Sequence, residues 1–283
     1  MLKTRVITAL VIVPIPVAAI WFGTPWFTAL VAVVAVLAVH EFYRLAAAAG
    51  ASPLVNLGAF LTLLLVLARS PEIVSLVEPH FDPDLIPPLL LTLATALPLL
   101  WLLLRGRTSG AFVNWAWTLG GVLYIGWLLG HVVALRGTVD GRNWVFLVIL
   151  ATVASDTAAF FVGRALGRHR LAPQISPNKT REGAAAGVVG AMAISLVFVA
   201  PSLFGAGNAL YIEGFIHWQA LVLGLLVSVF GQFGDLAESL LKRNAGVKDS
   251  GRLLPGHGGI LDRVDSIVFA GIVVYYFVVW AVQ

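Results

Sequence analysis

The chain has 283 residues, of which 59% are hydrophobic and only 11% are charged, and its mean hydropathy is +0.94. This composition indicates an integral membrane protein, because soluble domains carry roughly 25% charged residues, and the absence of cysteine excludes disulfides, thiolate catalysis and cysteine-ligated zinc. The net charge of +4 is small for a nucleic-acid-binding protein, so we interpret the basic residues as topology signals and as contacts for anionic lipids or nucleotides.

Long apolar runs follow one another through the whole chain. Lys3 and Arg5 precede a first run that has the pattern of a signal peptide, but the many later runs favour a retained first helix. About nine runs approach the roughly 20 residues that cross a bilayer. They cover residues 6–22, 26–39, 54–68, 85–104, 112–135, 144–163, 183–204, 217–234 and 264–282. We therefore expect an all-α polytopic protein that forms a single membrane unit, with a helical scaffold in residues 1–143 and the chemically active half in residues 144–283.

The positions of Lys and Arg predict how these spans are oriented. If the N-terminus is cytoplasmic, all 18 basic residues except Arg69, Arg136 and Arg142 fall in cytoplasmic segments. Three charge-rich segments then open to the cytoplasm, where nucleotides are available: 156–182, 235–249 and 252–265.

Asp156 lies about two-thirds of the way along the apolar run 144–163. A carboxylate within a membrane span is costly, so such residues usually face a partner or a water-filled cavity and mark functional sites. The alternative is a structural pair with a neighbouring Arg. We therefore treat Asp156 as a candidate site residue.

Residues 176–183, which read Ser-Pro-Asn-Lys-Thr-Arg-Glu-Gly, have the pattern of a helix start. Thr180 is the expected N-cap, and Glu182 would lie in the first turn. Gly183, Gly187 and Gly190 then place small residues on one side of the next helix. They permit close packing within the protomer, which we favour, or across a homodimer seam.

Two further pairs of carboxylates lie near the two ends of the last cytoplasmic segment. Asp235 and Glu238 share a helical face with Lys242, so they either contribute to a site or form a Glu238–Lys242 ion pair at a helix end. Asp262 is a candidate N-cap for the last span, with Asp265 one turn further along. A helix N-terminus also presents backbone donors to phosphate, so capping and a site role are compatible.

The signature segment, residues 239–266, concentrates charges of both signs around a Pro-Gly-His-Gly-Gly loop. Carboxylates hold divalent cations, basic side chains neutralise phosphate, and glycines let backbone N–H groups approach an anion. A solvated loop is the alternative. His257 either donates to phosphate or orders the loop. The charged residues are Lys242, Arg243, Lys248, Asp249, Arg252, His257, Asp262, Arg263 and Asp265.

The pattern S-x2-K-R-x4-K-D-x-G-x2-L-P-x-H-G-G-x2-D-R-x-D, from Ser239 to Asp265, resembles the signature of the phosphatidate cytidylyltransferase (CDP-diacylglycerol synthase) family. The segments SDTxAFxxGR around Asp156 and SPxKTxEG at residues 176–183 are similar to that family as well. Arg181 departs from the apolar residue that family members commonly carry there.

The resemblance implies Mg²⁺-dependent transfer of a cytidylyl group from CTP to phosphatidic acid for phospholipid biosynthesis, with a second cation as an option. It also implies a bacterial inner-membrane protein whose active site is cytoplasmic and whose further partners are membrane lipids. By resemblance Asp156, Asp235, Asp262 and Asp265 are metal ligands, and these four with Lys248 are the catalytic residues. The residues implied to bind substrate are Lys179, Glu182, Lys242, Arg243, Asp249, His257 and Arg263.

Two other functions remain open from the sequence. A CTP-dependent polyprenol or phytol kinase would share the scaffold and the nucleotide, and a secondary transporter would suit broken spans and an intramembrane carboxylate. A transporter would be expected to carry charges in both halves of the chain, whereas here they are concentrated in the C-terminal half.

The stretch His40-Glu41-x-x-Arg44 lacks the second histidine of a zinc protease, so we interpret it as a cytoplasmic helix end. P-loop and Gly-x-Ser-x-Gly motifs are absent from the sequence.

Overall fold

A computed structural model describes residues 13–106, 108–203, 206–253 and 258–282. It is mostly helical, as expected, and it also contains two short antiparallel hairpins that the sequence did not predict. The helices are α1 (Pro14–Phe22), α2 (Thr24–Ala48), α3 (Val55–Leu67), α4 (Pro71–Val77), α5 (Ile86–Leu104), α6 (Ala111–Arg136), α7 (Gly141–Leu166), α8 (Arg181–Val197), α9 (His217–Asn244) and α10 (Leu261–Ala281). The strands are β1 (Arg170–Ala172), β2 (Ser176–Thr180), β3 (Ser202–Leu203) and β4 (Ala206–Gly207).

The long apolar runs form helices because a helix satisfies its backbone hydrogen bonds internally, which lipid requires. Within the described residues, six helices are long and apolar enough to cross a membrane, or seven if the bent pair α3 and α4 is one span. The break between those two helices has an angle of 83°. The protein is therefore a polytopic helical membrane protein.

The predicted number of nine spans is not confirmed. Part of the first predicted span, residues 6–12, lies outside the described residues. The predicted span 183–204 contains α8, which has 17 residues. At 1.5 Å per residue such a helix covers about 25 Å, less than the roughly 30 Å of a bilayer's hydrocarbon core.

Many large apolar side chains remain exposed on these helices. Leu104 is 76% exposed, Phe22 74% and Trp280 79%. In water such surfaces would associate or aggregate, whereas lipid tails accommodate them at no cost. These residues therefore provide the lipid-facing surface that the composition predicts.

The chain divides into two compact units. Unit 1 contains residues 1–137 and 241–263, and unit 2 contains residues 138–240 and 264–283. The division predicted from the sequence, into residues 1–143 and 144–283, stays a prediction. Most of the signature segment belongs to unit 1, together with the N-terminal helices that the sequence had indicated as scaffold only.

Unit 1 has an apolar core between α3, α5 and α6, and its buried members include Leu61, Leu65, Leu90 and Val122. A buried hydroxyl links α2 to α6, where Tyr43 donates to the carbonyl of Thr118 at 2.8 Å. The described part of α6 includes a π-helical turn at Val122–Trp127, an insertion that widens the helix locally.

Unit 2 is built around the close packing of α7 on α8. A Cβ on Gly183 would lie 2.7 Å from the carbonyl oxygen of Ala159, and a Cβ on Gly190 would lie 2.9 Å from that of Ala154. The small residues of α8 therefore face α7 of the same protomer, as we favoured from the sequence. Only glycine allows the two backbones to approach this closely.

Candidate active site

A cavity of about 800 Å³ opens in unit 2, bordered by α7, the β1–β2 hairpin, α8 and α9. Two aspartates and four basic side chains line it, which is an unusual concentration of charge for so apolar a protein. The charged lining residues are Asp156, Arg164, Arg168, Arg170, Lys179 and Asp235. Gln232 and Asn178 add neutral polar groups. The cavity is therefore suited to a multiply charged anion accompanied by a cation.

Asp235 and Lys179 form an ion pair at this cavity, with 2.5 Å between Nζ and Oδ2. The other carboxylate oxygen of Asp235 accepts a hydrogen bond from Ser239 at 3.3 Å. The side chain of Asp235 is 31% exposed and that of Lys179 is 26% exposed. Both can therefore reach a ligand in the cavity.

Asp156 lies on α7 and lines the same cavity, where its side chain is exposed. The sequence left open whether this carboxylate would face a cavity or a structural partner, and the structure places it at a cavity. Its neighbour Ser155 is buried and bonds to Ser228 of α9 at 2.7 Å. That contact ties α7 to α9 and fixes the helical face on which Asp156 lies.

The β1–β2 hairpin carries Lys179 to the cavity. Arg170 pairs with Thr180 and Ala172 with Ser176 in an antiparallel register. Thr180 ends the strand and caps α8, since its hydroxyl accepts from the N–H of Gly183 at 3.1 Å. The predicted N-cap is confirmed, and the residues before it form a strand.

Glu182 lies in the first turn of α8, as predicted, and it binds the chain that follows α7. Nδ1 of His169 donates to it at 2.6 Å, and the N–H groups of Arg168 and His169 donate at 3.2–3.3 Å. The hydrogen bond from His169 is the main reason that the pKa of Glu182 is lowered to about 2. Glu182 therefore organises the segment that carries Arg168 and Arg170.

Arg164, Arg168 and Arg170 line the cavity but were not among the predicted site residues. From the sequence they served only as evidence of a cytoplasmic location. Arg164 lies in the last turn of α7, whereas Arg168 follows that helix and Arg170 begins β1, so the hairpin is what brings the latter two to the cavity. The available signal in the sequence was that three arginines fall within the seven residues 164–170, shortly after the segment that carries Asp156.

Asp262 is the most highly connected carboxylate of unit 1. Its Oδ2 accepts from the N–H of Ser250 at 3.1 Å, from the Ser250 hydroxyl at 3.0 Å and from the N–H of Gly259 at 2.8 Å. Its Oδ1 forms an ion pair with Lys242 at 2.6 Å. Because α10 begins at Leu261, Asp262 lies inside the first turn, and the N-cap reading is wrong by one to two positions.

Glu41 of α2 also reaches this segment. It is only 4% exposed, and its Oε2 accepts from the Ser250 hydroxyl and from the N–H of Leu261, each at 2.9 Å. The sequence indicated only a cytoplasmic helix end here. The partners are 209 and 220 positions away along the chain, so no local pattern could reveal them.

The remaining predicted residues of the signature segment differ in exposure. In unit 1, Arg243, Lys248, Asp249 and Arg263 are exposed. In unit 2, Asp265 is 9% exposed and its Oδ1 accepts from the N–H of Ser266 at 2.6 Å. His257 lies outside the described residues, so its predicted role stays a prediction.

The donor set suits Mg²⁺. Asp156 and Asp235 present hard carboxylate oxygens to a cavity that water can enter, and Mg²⁺ commonly takes one or two carboxylates together with water and phosphate oxygens. In the part of the chain that the structure describes, no three His, Asp or Glu side chains form a ready-made metal site. Asp156 and Asp235 are the two carboxylates of the cavity lining that could hold a cation.

Comparisons with known proteins identify the family of this chain. A profile of the Cytidylyltransferase family matches residues 3–281. A Synechocystis protein named phosphatidate cytidylyltransferase is 34% identical over 304 residues, covering 97% of this chain and 96% of the relative. Proteins of the same name from Brucella suis and Bacillus subtilis are 44% identical over 162 residues (57% of this chain, 56% of the relative) and 42% identical over 155 residues (54% of each). This chain therefore belongs to the cytidylyltransferase family.

Proposed function

We propose that this protein transfers the cytidylyl group of CTP to phosphatidate and forms CDP-diacylglycerol and pyrophosphate. The observation that carries the proposal is the cavity of unit 2, where two aspartates and four basic side chains converge within an apolar helical protein of this family. Basic groups neutralise phosphates, and the aspartates supply oxygen ligands for a divalent cation. The names of the relatives point to the same substrates.

The reaction is a single displacement at phosphorus. An oxygen of the phosphatidate phosphate attacks the α-phosphorus of CTP, and the bond from that phosphorus to the oxygen bridging to the β-phosphorus breaks. That oxygen leaves with pyrophosphate. Because the attacking phosphate is already ionised, neither a general base nor a covalent enzyme intermediate is required. The protein must position the two phosphates and neutralise their charge.

The basic residues of the cavity perform that neutralisation in unit 2. We assign Lys179, Arg164, Arg168 and Arg170 to the triphosphate and the departing pyrophosphate, because all four line the cavity. Glu182 supports this group by holding the backbone at Arg168. In unit 1, the proposed substrate-binding residues are Lys242, Arg243, Lys248, Asp249, His257 and Arg263.

We assign metal ligation to Asp156, Asp235 and Asp265 in unit 2 and to Asp262 in unit 1. Mg²⁺, when bound, would supply Lewis-acid polarisation and neutralise phosphate charge. Oδ1 of Asp262 forms an ion pair with Lys242 at 2.6 Å. We include binding of a second cation beside Mg²⁺ in this proposal.

We further propose that the N-terminus and the signature segment face the cytoplasm of a bacterial inner membrane. The support is the positive-inside distribution of Lys and Arg. The proposed arrangement keeps nine spans, which adds α1, α8 and the bent pair to the six long helices. A homodimer is compatible with the exposed apolar surface but is not required by the packing of α8.

Substrate-dependent release of pyrophosphate by the purified protein tests this function. Turnover should require CTP, phosphatidate and Mg²⁺ together, and pyrophosphate and CDP-diacylglycerol should form in equal amounts. Asp235→Asn is the matched control, since it removes a proposed ligand while keeping the side-chain volume. Release of CDP with a phosphorylated lipid alcohol would identify a kinase instead, and absence of turnover with any nucleotide would contradict the proposal.

A further inference from the structure

Glu41 is a buried carboxylate that the proposed chemistry does not use. It lies on α2 at 4% exposure, within unit 1. Burying a carboxylate is costly unless hydrogen bonds compensate the lost hydration. Its compensation comes from Ser250 and Leu261, the residues that precede and follow the glycine-rich loop of the signature segment.

Two glycines of that segment make room for the Glu41 carboxylate. A Cβ on Gly251 would overlap Oε1 of Glu41, and a Cβ on Gly259 would overlap Oε2. Neither glycine has the left-handed backbone that by itself favours glycine, in contrast to Gly258 at φ 82°. Space for Glu41 therefore explains glycine at position 251, and space for Glu41 together with the Ser250 hydroxyl explains it at position 259.

A chain of hydrogen bonds connects Glu41 to Asp262. The Ser250 hydroxyl lies 2.9 Å from Oε2 of Glu41 and 3.0 Å from Oδ2 of Asp262, and the two carboxylates share its single proton. Asp262 in turn holds the N–H groups of Ser250 and Gly259. Removing the Glu41 carboxylate would take away one of the bonds that hold Ser250 and the bond that holds the N–H of Leu261, the residue directly before Asp262.

We propose that Glu41 is a positioning residue that clamps the signature loop and thereby fixes the carboxylate of Asp262. Both hydrogen bonds to Glu41 end on the same oxygen, Oε2, so the clamp requires an acceptor atom rather than a negative charge. The effect on turnover rests on the proposed cytidylyl transfer, whereas the clamp itself rests on the contacts of unit 1.

Two substitutions at position 41 separate positioning from charge. Glu41→Ala should lower kcat about 100-fold, as expected for a reacting group displaced by about 1 Å, and should change the KM for CTP much less. Glu41→Gln should stay within about 5-fold of the parent, because its amide oxygen can accept both hydrogen bonds. If Glu41→Gln is as inactive as Glu41→Ala, the charge is what matters and the positioning role is overturned.

Tyr43→Phe is the matched control for simple loss of stability. It removes a different buried hydrogen bond of the same helix, from the Tyr43 hydroxyl to the carbonyl of Thr118. Tyr43→Phe should lower the Tm in detergent by an amount similar to Glu41→Ala and leave kcat at the parental value. An equal loss of kcat in both variants would reduce Glu41 to general structural support.

Hydrogen exchange at the Leu261 amide gives a readout that needs no turnover. Glu41→Ala should speed this exchange at least about 10-fold, and Glu41→Gln and Tyr43→Phe should not. If Glu41→Ala speeds the exchange but the parent protein shows no cytidylyl transfer, the proposed function is wrong and the positioning role of Glu41 stands. If Glu41→Ala is active and has the same Leu261 exchange rate and the same kcat as the parent, the positioning role is wrong and the proposed function stands.

Discussion

Lys179 of β2 and Asp235 of α9 form an ion pair with 2.5 Å between Nζ and Oδ2, at the wall of the unit 2 cavity. Both residues were predicted to bind different parts of one substrate complex, the lysine a phosphate and the aspartate a metal ion. The ion pair neutralises both charges. In the proposed reaction, Lys179 would exchange Asp235 for a phosphate, and Asp235 would exchange Lys179 for the metal ion.

This exchange predicts that the two charges cannot be swapped. Lys179→Ala should lower kcat/KM for CTP about 100-fold, by analogy with the loss of one preorganised donor to a developing charge. The double variant Lys179→Asp/Asp235→Lys should remain as inactive as either single change. Because both side chains are partly exposed, stability should fall by no more than about 1 kcal/mol. Recovery of turnover in the double variant would show that the pair is structural.

Asp156→Asn should abolish turnover with little effect on thermostability. The carboxylate is exposed at the cavity, so replacing it with an amide of equal size leaves the packing of α7 unchanged. The measurement pairs the rate of pyrophosphate release with the Tm of the detergent-extracted protein. Near-normal turnover would remove Asp156 from the site.

Much of the local structure could be predicted from the sequence. The apolar runs correspond to helices, and the cap at Thr180 is confirmed because a cap depends on residues three positions apart. What the sequence could not predict depends on distant partners. The strand before Thr180 exists through its pairing with β1, and the role of Glu41 exists through contacts with Ser250.

The same limit explains the errors at individual residues. The start of α10 differs from the expected one because Asp262 bonds back to Ser250 and Gly259, so it lies inside the helix rather than at its cap. Arg168 and Arg170 reach the cavity only through the hairpin. The residue pattern thus indicated the chemistry, and tertiary contacts determine which side chains line the cavity.

Metal ligands and phosphate-neutralising residues should respond differently to Mg²⁺. Asp265→Asn should raise the Mg²⁺ concentration needed for half-maximal activity and lower the maximal rate, since mass action partly offsets a weakened site. Lys248→Ala should lower the rate about 10²- to 10³-fold without a shift in the Mg²⁺ requirement. Titrating Mg²⁺ for parent and both variants checks the assignment. An identical Mg²⁺ dependence in all three would show that the roles are wrongly assigned.

The proposed orientation can be tested by cysteine labelling, because the chain contains no cysteine. Ser250 is buried and unsuitable, but Arg252 is exposed, as is Glu213 in a predicted outer loop. Single cysteines at Arg252 and Glu213 should react with an impermeant reagent from opposite faces of the membrane. Labelling of both positions from one face would contradict the orientation and the span number on which it depends.

The path of the phosphorus atoms tests cytidylyl transfer most directly. The purified protein would receive phosphatidate, Mg²⁺ and CTP that carries distinguishable labels on its α- and γ-phosphates. The proposed reaction places the α label in the lipid product and the γ label in pyrophosphate. Transfer of the γ label to the lipid, with the α label retained in CDP, would contradict the account.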